Sequence, residues 1–177
     1  MGAWISVVRG QGGVATVVEF KPGGSFVSAY DKVLECGYRM ESGQLILTVA
    51  DPKTGQPSSE LVQTRVEGDR LVFTAPWDGA EYEMQRAGAA PSSGDALAGE
   101  WVSGAGGEHP AFAVFSTDGK LSFRTRLKSA SGTYQVAGDS LTLNFQGAPP
   151  QKGTFKIEGG SLIMTPEKGA PQIFKRA

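Results

Sequence analysis

Residues 66–74 read VEGDRLVFT, and residues 157–165 read IEGGSLIMT. In both stretches an apolar residue and a glutamate precede two turn-forming residues, and an apolar run follows. The turn-forming residues are Gly68-Asp69 in the first stretch and Gly159-Gly160 in the second. A two-residue hairpin turn needs positive φ at one or both of these positions, and glycine adopts positive φ without strain. Each stretch therefore predicts a β-hairpin, and the recurrence indicates that a β unit is duplicated in the chain.

Further landmarks recur in the same order around these hairpins. A Gly-x-Trp motif comes first, then Phe-x-x-x-Gly-x-apolar, a tyrosine, two leucines and a closing Arg-Ala pair. The carriers are Gly2, Trp4, Phe20, Gly24, Phe26, Tyr38, Leu45, Leu47, Arg86 and Ala87 in the first half, and Gly99, Trp101, Phe115, Gly119, Leu121, Tyr134, Leu141, Leu143, Arg176 and Ala177 in the second. A shared order over the whole length predicts two repeats of one domain, residues 1–86 and 99–177.

The segment between the repeats has a different composition. Residues 87–98 read AGAAPSSGDALA, which is rich in Ala, Gly, Ser and Pro and poor in large apolar groups. Such a composition is typical of a flexible linker, and the segment is longer than most connections inside a domain. We therefore place the domain boundary in this segment.

Composition excludes several classes of protein. The net charge is −1, so no overall field would draw the chain to nucleic acid or to an anionic membrane. No apolar run is long enough for a transmembrane helix.

The single cysteine, Cys36, excludes an intramolecular disulfide. Because it has no basic or histidine neighbour, we interpret it as a buried or half-buried residue rather than a reactive thiol. No signal peptide precedes the first motif, as in a trimmed mature domain that carries an added Met1.

The hydrophobic period within each repeat is two residues. In KLSFRTRLK, residues 120–128, the apolar residues Leu121, Phe123 and Leu127 share one face of a strand. Strands of this kind, separated by Gly, Pro and Asp turns, are predicted over 2–8, 14–21, 25–32, 34–41, 44–50, 60–67, 70–75 and 80–86, with a matching set in the second repeat. No stretch has a helical stripe. We predict an all-β chain of two tandem small antiparallel up-and-down barrels with about eight short strands each, whose interiors are filled or hold one small ligand.

Residues that could carry catalysis or bind metal are few. His109 is the only histidine, and with Glu108 alone beside it we interpret it as a solvated loop residue. The Gly-rich stretch 104–107 precedes no helix that could hold a phosphate, so it is interpreted as a loop. Glu81 and Glu83 share a strand face, which we interpret as a solvated outer face rather than a pair of catalytic carboxylates. The sequence predicts no catalytic residue, no metal site and no cofactor.

A row of cations is the strongest candidate for a role beyond structure. Lys120, Arg124, Arg126 and Lys128 alternate with the apolar face of residues 120–128. Four like charges on one strand face are unfavourable unless they are solvated or offset. They either keep an exposed strand soluble or form a site for an anionic ligand, such as a phosphate or the carboxylates of a partner. The equivalent strand of the first repeat, residues 25–32, lacks the row.

The order of these motifs resembles that of the bacterial lipocalin-like domains. The resemblance rests on Gly-x-Trp, Phe-x-x-x-Gly-x-apolar, Gly-x-Tyr, Gly-Asp-x-Leu-x-Leu and a late aromatic-x-Arg, and it covers nearly the whole chain outside the linker. The carriers in the second repeat are Gly99-Glu100-Trp101, Phe115 to Leu121, Gly132-Thr133-Tyr134, Gly138 to Leu143 and Phe174-Lys175-Arg176. In the first repeat Cys36 stands at the position of Gly132.

The resemblance implies structural pairs and a location. It implies that Trp4 with Arg86, and Trp101 with Arg176, stack at the closed end of each barrel, a cation–π contact worth about 0.5–2 kcal/mol. It also implies a protein of the cell envelope or a secreted one.

We therefore expect a non-catalytic binding or interaction module, with a small ligand at a barrel mouth and a small molecule or protein as partner, and not a nucleic acid. Two alternatives stay open: a structural or assembly subunit, and a histidine-independent barrel enzyme such as an isomerase or cyclase. A filled interior would favour interaction; a large apolar cavity would favour a lipophilic ligand or an enzyme.

Overall fold

The computed structural model describes residues 1–51, 54–89, 95–104 and 109–177. These residues form fifteen antiparallel strands and two single-turn 3₁₀ segments, Gln11–Gly13 and Pro22–Gly24. The strands are β1 (Gly2–Ser6), β2 (Val14–Phe20), β3 (Ser25–Glu41), β4 (Gln44–Ala50), β5 (Pro57–Val62), β6 (Thr64–Glu67), β7 (Arg70–Thr74), β8 (Glu81–Ala87), β9 (Gly99–Ser103), β10 (Ala111–Phe115), β11 (Lys120–Ala137), β12 (Ser140–Phe145), β13 (Gln151–Glu158), β14 (Ser161–Pro166) and β15 (Gln172–Arg176). The all-β prediction is confirmed.

The repeated phrase forms the same hairpin twice. β6 pairs with β7 up to Glu67 opposite Arg70, and β13 pairs with β14 up to Glu158 opposite Ser161. The turn glycines have positive φ, 59° at Gly68, 56° at Gly159 and 76° at Gly160. Leu71 and Leu162 follow the turns and are buried. Both predicted hairpins are confirmed.

Two strands are much longer than predicted. The segments 25–32 and 34–41 form one strand, β3, because no Gly or Pro interrupts the chain around Val33. β11 extends in the same way for 18 residues. In contrast, the predicted strand 60–67 is divided at Gln63 into β5 and β6.

The chain forms two compact units whose limits differ from those of the sequence repeats. Unit 1 comprises Met1–Lys32 and Arg126–Ala177, and unit 2 comprises Val33–Thr125. Both limits fall inside the long strands β3 and β11. Each unit therefore combines the first strands of one repeat with the last strands of the other.

In unit 1 the strands pair in the order β3-β2-β1-β15-β14-β13-β12-β11. β1 joins the two segments of chain, since Trp4 lies opposite Val18 on β2 and opposite Arg176 on β15. Phe26, Leu141, Leu143, Leu162 and Phe174 are buried with Trp4 and Val18 in one core.

On the other face of the first strands in unit 1, a second set of residues is buried. This set is Ile5, Ala15, Val17, Ala29 and Asp31. The first strands of unit 1 are thus covered on both faces.

In unit 2 the order runs from β6 through β7, β8, β9 and β10 to β11, and separately from β3 through β4 to β5. β3 and β11 also pair with each other, and within unit 2 the Tyr38 N–H donates a hydrogen bond to the Gly119 carbonyl over 2.7 Å. β5 and β6 are the two terminal strands of this order, so the ring of strands is partial.

The end of the predicted linker belongs to the core of unit 2. Leu97 and Ala98 are buried, and the Trp101 indole donates a hydrogen bond of 2.7 Å to the Leu97 carbonyl. Residues 90–94 of that segment lie outside the described residues.

Candidate ligand pocket

An apolar pocket of about 190 Å³ lies in unit 1. Its wall is built from strands of both chain segments and carries four aromatic side chains. The lining residues are Met1, Trp4, Phe20, Tyr134, Val136, Leu141, Phe155, Ile157 and Leu162. The pocket thus adjoins the buried core that Trp4, Leu141 and Leu162 share.

Arg176 holds Trp4 in place at one side of the pocket. The Arg176 guanidinium carbon lies 4.6 Å from the centroid of the Trp4 ring, and Nη1 of Arg176 donates a 2.7 Å hydrogen bond to the Met1 carbonyl. Gly2 makes this arrangement feasible, because its φ is 125° and a Cβ at this position would collide with the guanidinium. This steric requirement explains the glycine of the Gly-x-Trp motif.

Part of the pocket wall is formed by packed aromatic rings. The Phe20 and Tyr134 rings meet edge to face with centroids 5.0 Å apart, and Phe20 also stacks on Phe26 at 6.3 Å. Edge-to-face contacts of this kind add about 0.5–1.5 kcal/mol to the burial of the rings. The Tyr134 hydroxyl lies at the margin of hydrogen-bond distance, 3.4 Å from the Lys21 carbonyl that accepts from it.

The lining determines what the pocket can accept. Among its described lining residues no side chain carries a charge, and Tyr134 supplies the one side-chain hydroxyl. A cationic ligand would lose its hydration with no anionic side chain to compensate, which is costly. The pocket therefore suits an uncharged apolar molecule, and it offers no general acid–base pair.

A smaller cavity of about 110 Å³ adjoins this pocket through Leu141, which lines both. Its lining includes the side chains of Gln151, Lys152, Thr154 and Gln172, so it is more polar. An uncharged molecule with an apolar part and a hydrogen-bonding part would fit the apolar pocket and the more polar cavity beside it.

The core of unit 2 is packed with aromatic rings. Phe123 meets Trp77, Tyr82 and Phe73 with ring centroids between 4.9 and 5.8 Å apart. These rings pack with Leu71, Met84 and Trp101, all fully buried. Unit 2 thus has a packed aromatic core.

A surface depression in unit 2 lies beside Tyr38. The Tyr38 hydroxyl lies 2.8 Å from Asp95 Oδ2 and 2.9 Å from the Ser116 carbonyl oxygen, and these two acceptors share its one proton. Burial, and next the hydrogen bond to Asp95, raise the pKa of Tyr38 well above its usual range. The phenol stays protonated near neutral pH, so it ties Asp95 and Ser116 together and cannot act as a base.

The predicted cation row does not form one solvated face. The Arg124 side chain is buried, with its guanidinium 5.0 Å from the Phe112 ring centroid. Arg126 is nearly buried as well and forms an ion pair of 3.2 Å with Asp31, which is fully buried. Lys120 and Lys128 are exposed, and Lys120 pairs with Asp118. Anion binding by this row stays a prediction, and its exposed members are the two lysines.

The predicted tryptophan–arginine pairs form with exchanged partners. Arg86 lies over Trp101 at 4.0 Å in unit 2, and Arg176 lies over Trp4 in unit 1, so the expected pairs Trp4–Arg86 and Trp101–Arg176 are wrong. The reason is the pairing of strands, since β8 pairs with β9 and β1 pairs with β15. Arg86 also donates to the Ala98 and Ala96 carbonyls, both over 2.7 Å.

The remaining candidates lie on surfaces or outside the described residues. Glu83 is exposed and receives a bidentate hydrogen bond from Arg70, which lowers the pKa of its carboxyl, and Glu81 is exposed too. His109 is exposed, and residues 105–108 are outside the description. In the described part of the chain, no group of three or more His, Cys, Asp or Glu side chains could hold a metal ion.

No helix among the described residues is long and apolar enough to cross a membrane. No protein-family model, curated protein or solved structure matches the chain significantly.

Sequence reasoning identified Trp4 and Tyr134 as structural landmarks and missed the pocket around them. Phe155 and Ile157 carried the available signal, because they alternate with polar residues in β13 and predict an apolar strand face. Nothing in that alternation tells whether the face is covered or open. Ile157 is in fact 62% exposed at the pocket.

Proposed function

We propose that the protein is a non-catalytic binding protein built from two duplicated lipocalin-like β-barrels, in which the apolar pocket of unit 1 holds a small uncharged ligand. One observation carries the proposal: the pocket of unit 1 is lined by four aromatic side chains and by no charged side chain. The up-and-down order of strands in unit 1 supports the barrel assignment.

The dimensions favour a molecule of about one aromatic ring. An apolar cavity of about 150 Å³ in another protein stays dry and binds benzene, and the pocket here is slightly larger. The rings of Trp4, Phe20, Tyr134 and Phe155 offer edges and faces to a flat ligand. A ligand of about seven heavy atoms that gains roughly 0.6–1 kcal/mol per atom, below the ceiling of about 1.5, binds with about 4–7 kcal/mol, so we expect dissociation constants of about 0.01–1 mM.

The experiment is an NMR titration of the protein with toluene, followed by shifts of the backbone amides. We expect saturable shifts at residues around Trp4, Tyr134 and Ile157. Benzylamine, which has the same ring and a positive charge near neutral pH, should bind at least tenfold more weakly because no lining side chain offers its ammonium group an anionic partner.

Ile157→Asp tests the site, and Ile173→Asp is its matched control. Both isoleucines lie on strands of unit 1 and are exposed, 62% and 43%, but only Ile157 lines the pocket. The first variant should weaken toluene binding at least tenfold, and the control should leave it unchanged. Absence of saturable binding, or equal binding by both variants, would refute the proposal.

A further inference from the structure

The N-terminal segment, residues 1–32, forms unit 1 together with residues 126–177, which are distant in the sequence. β1 pairs with β15, Trp4 packs under Arg176, and Asp31 pairs with Arg126. These contacts between residues 1–32 and residues 126–177 are non-covalent. Any copy of residues 126–177 that is free can in principle make them.

The same interface occurs in unit 2 with the roles of the repeats exchanged. There β9 pairs with β8, Trp101 packs under Arg86, and Tyr38 meets Phe115 edge to face at 5.0 Å. The equivalent of the last contact in unit 1 is Phe20 with Tyr134, also at 5.0 Å. The first strands of a repeat thus fit the last strands of another repeat in two independent instances.

The long strands cause this exchange. β3 continues through Lys32–Val33 and β11 through Thr125–Arg126 without a Gly or Pro that would turn the chain back. A connection that stays extended directs the following residues away from their own repeat, and exchange of an identical element between protomers is a low-cost route to dimers. Unit 2 is one continuous stretch, Val33–Thr125, so release of residues 1–32 breaks none of its chain.

We infer that residues 1–32 are an exchangeable segment and that its partner is a second copy of this chain. In the exchanged dimer, residues 1–32 of each protomer complete unit 1 of the other. Within one chain the two segments face each other at an effective concentration of roughly millimolar, so the closed monomer dominates in dilute solution. Exchange therefore becomes visible when the chain is refolded at high protein concentration.

Cysteine pairs can detect the exchange in the full chain, with Cys36→Ala as background. Ile5 and Lys175 are cross-strand neighbours on β1 and β15. Neighbours of this kind have Cα separations compatible with a disulfide. A chain that carries both Ile5→Cys and Lys175→Cys should oxidise within the monomer, which checks the geometry.

The test mixes chains carrying Ile5→Cys with chains carrying Lys175→Cys, refolds them together from guanidinium at increasing concentration, and oxidises them. We expect a disulfide-linked dimer whose fraction rises with protein concentration. The control mixes Val72→Cys with Glu83→Cys, neighbours on β7 and β8 inside the continuous unit 2. The test pair should give at least tenfold more linked dimer than the control.

A second pair guards against failure of the Ile5 variant to fold. Ala3→Cys and Ala177→Cys lie where the Ala177 N–H bonds the Ala3 carbonyl over 3.0 Å, and a circular dichroism spectrum establishes that each variant is folded. If folded variants of both pairs give no more linked dimer than the control at any concentration, the inference is wrong.

Discussion

At the scale of single residues, burial rather than sequence neighbours sets the behaviour of Cys36. The thiol packs partly against the core of unit 2, and burial raises its pKa to about 11. The thiolate is the reactive form of cysteine, so the folded protein holds this group in an unreactive state near neutral pH. The sequence interpretation of a half-buried residue is confirmed.

We expect slow alkylation of Cys36 by iodoacetamide in the folded protein at pH 8. With a pKa of about 11, the thiolate fraction is roughly a hundredfold lower than for an ordinary cysteine. The measurement is the labelling rate by mass spectrometry, with guanidinium-unfolded protein as the control. Equal rates in the two states would contradict the burial of the thiol.

The sign of the linked stability change follows from the same pKa. Burial raises the pKa of Cys36 in the folded state. The contribution of the protonated thiol to the free energy of unfolding is therefore complete below the ordinary thiol pKa of about 8.5 and is lost as pH rises through about 11. The thiolate forms over the same pH window, so alkylation of the folded protein should accelerate there.

At the scale of elements, β11 shows what a two-residue hydrophobic period predicts about the burial of side chains on a strand. Leu121 and Phe123 were predicted to face the core, and both are buried. Leu127 was predicted on the same face and is 46% exposed, whereas Arg124, predicted to face solvent, is 7% exposed. Phe123 and Arg124 are adjacent and both buried, so both faces of β11 are covered at this point. Alternation identifies two faces of a strand but not which neighbours cover each face.

Arg126→Ala should destabilise the protein strongly. It removes a partner 3.2 Å from Asp31, whose side chain is fully buried. Removal of one member of a buried ion pair typically costs about 3–5 kcal/mol, because the other charge loses its compensation without regaining water. The measurement is the free energy of unfolding from urea titration.

Lys128→Ala is the matched control, since Lys128 lies two residues further along the same strand and is exposed. Its effect should stay within about 0.5 kcal/mol. If Arg126→Ala and Lys128→Ala cost the same, the Asp31–Arg126 pair contributes nothing to stability.

At the scale of the whole molecule, the sequence predicts which types of residue contact each other better than it predicts which individual residues pair. Each Gly-x-Trp tryptophan stacks with a late arginine, as the resemblance implies. Their partners were misassigned because both repeats carry the same residue types, so either arginine satisfies either tryptophan chemically. The assignment depends on whether the chain turns or continues at Val33, and the absence of Gly and Pro there favours continuation. The pocket was missed for a related reason: whether an apolar strand face is covered or open depends on which strands pack against it.

Double-mutant cycles can test the exchanged assignment in solution. Trp4→Leu combined with Arg176→Met should show a coupling energy of about 0.5–2 kcal/mol, since the pair stacks at 4.6 Å. Trp4→Leu combined with Arg86→Met should be additive within about 0.5 kcal/mol, since Arg86 stacks on Trp101 instead. The measurement is again the free energy of unfolding. Coupling of Trp4 to Arg86 rather than Arg176 would show that each repeat closes on itself, and both the exchanged units and the exchangeable segment would then be wrong.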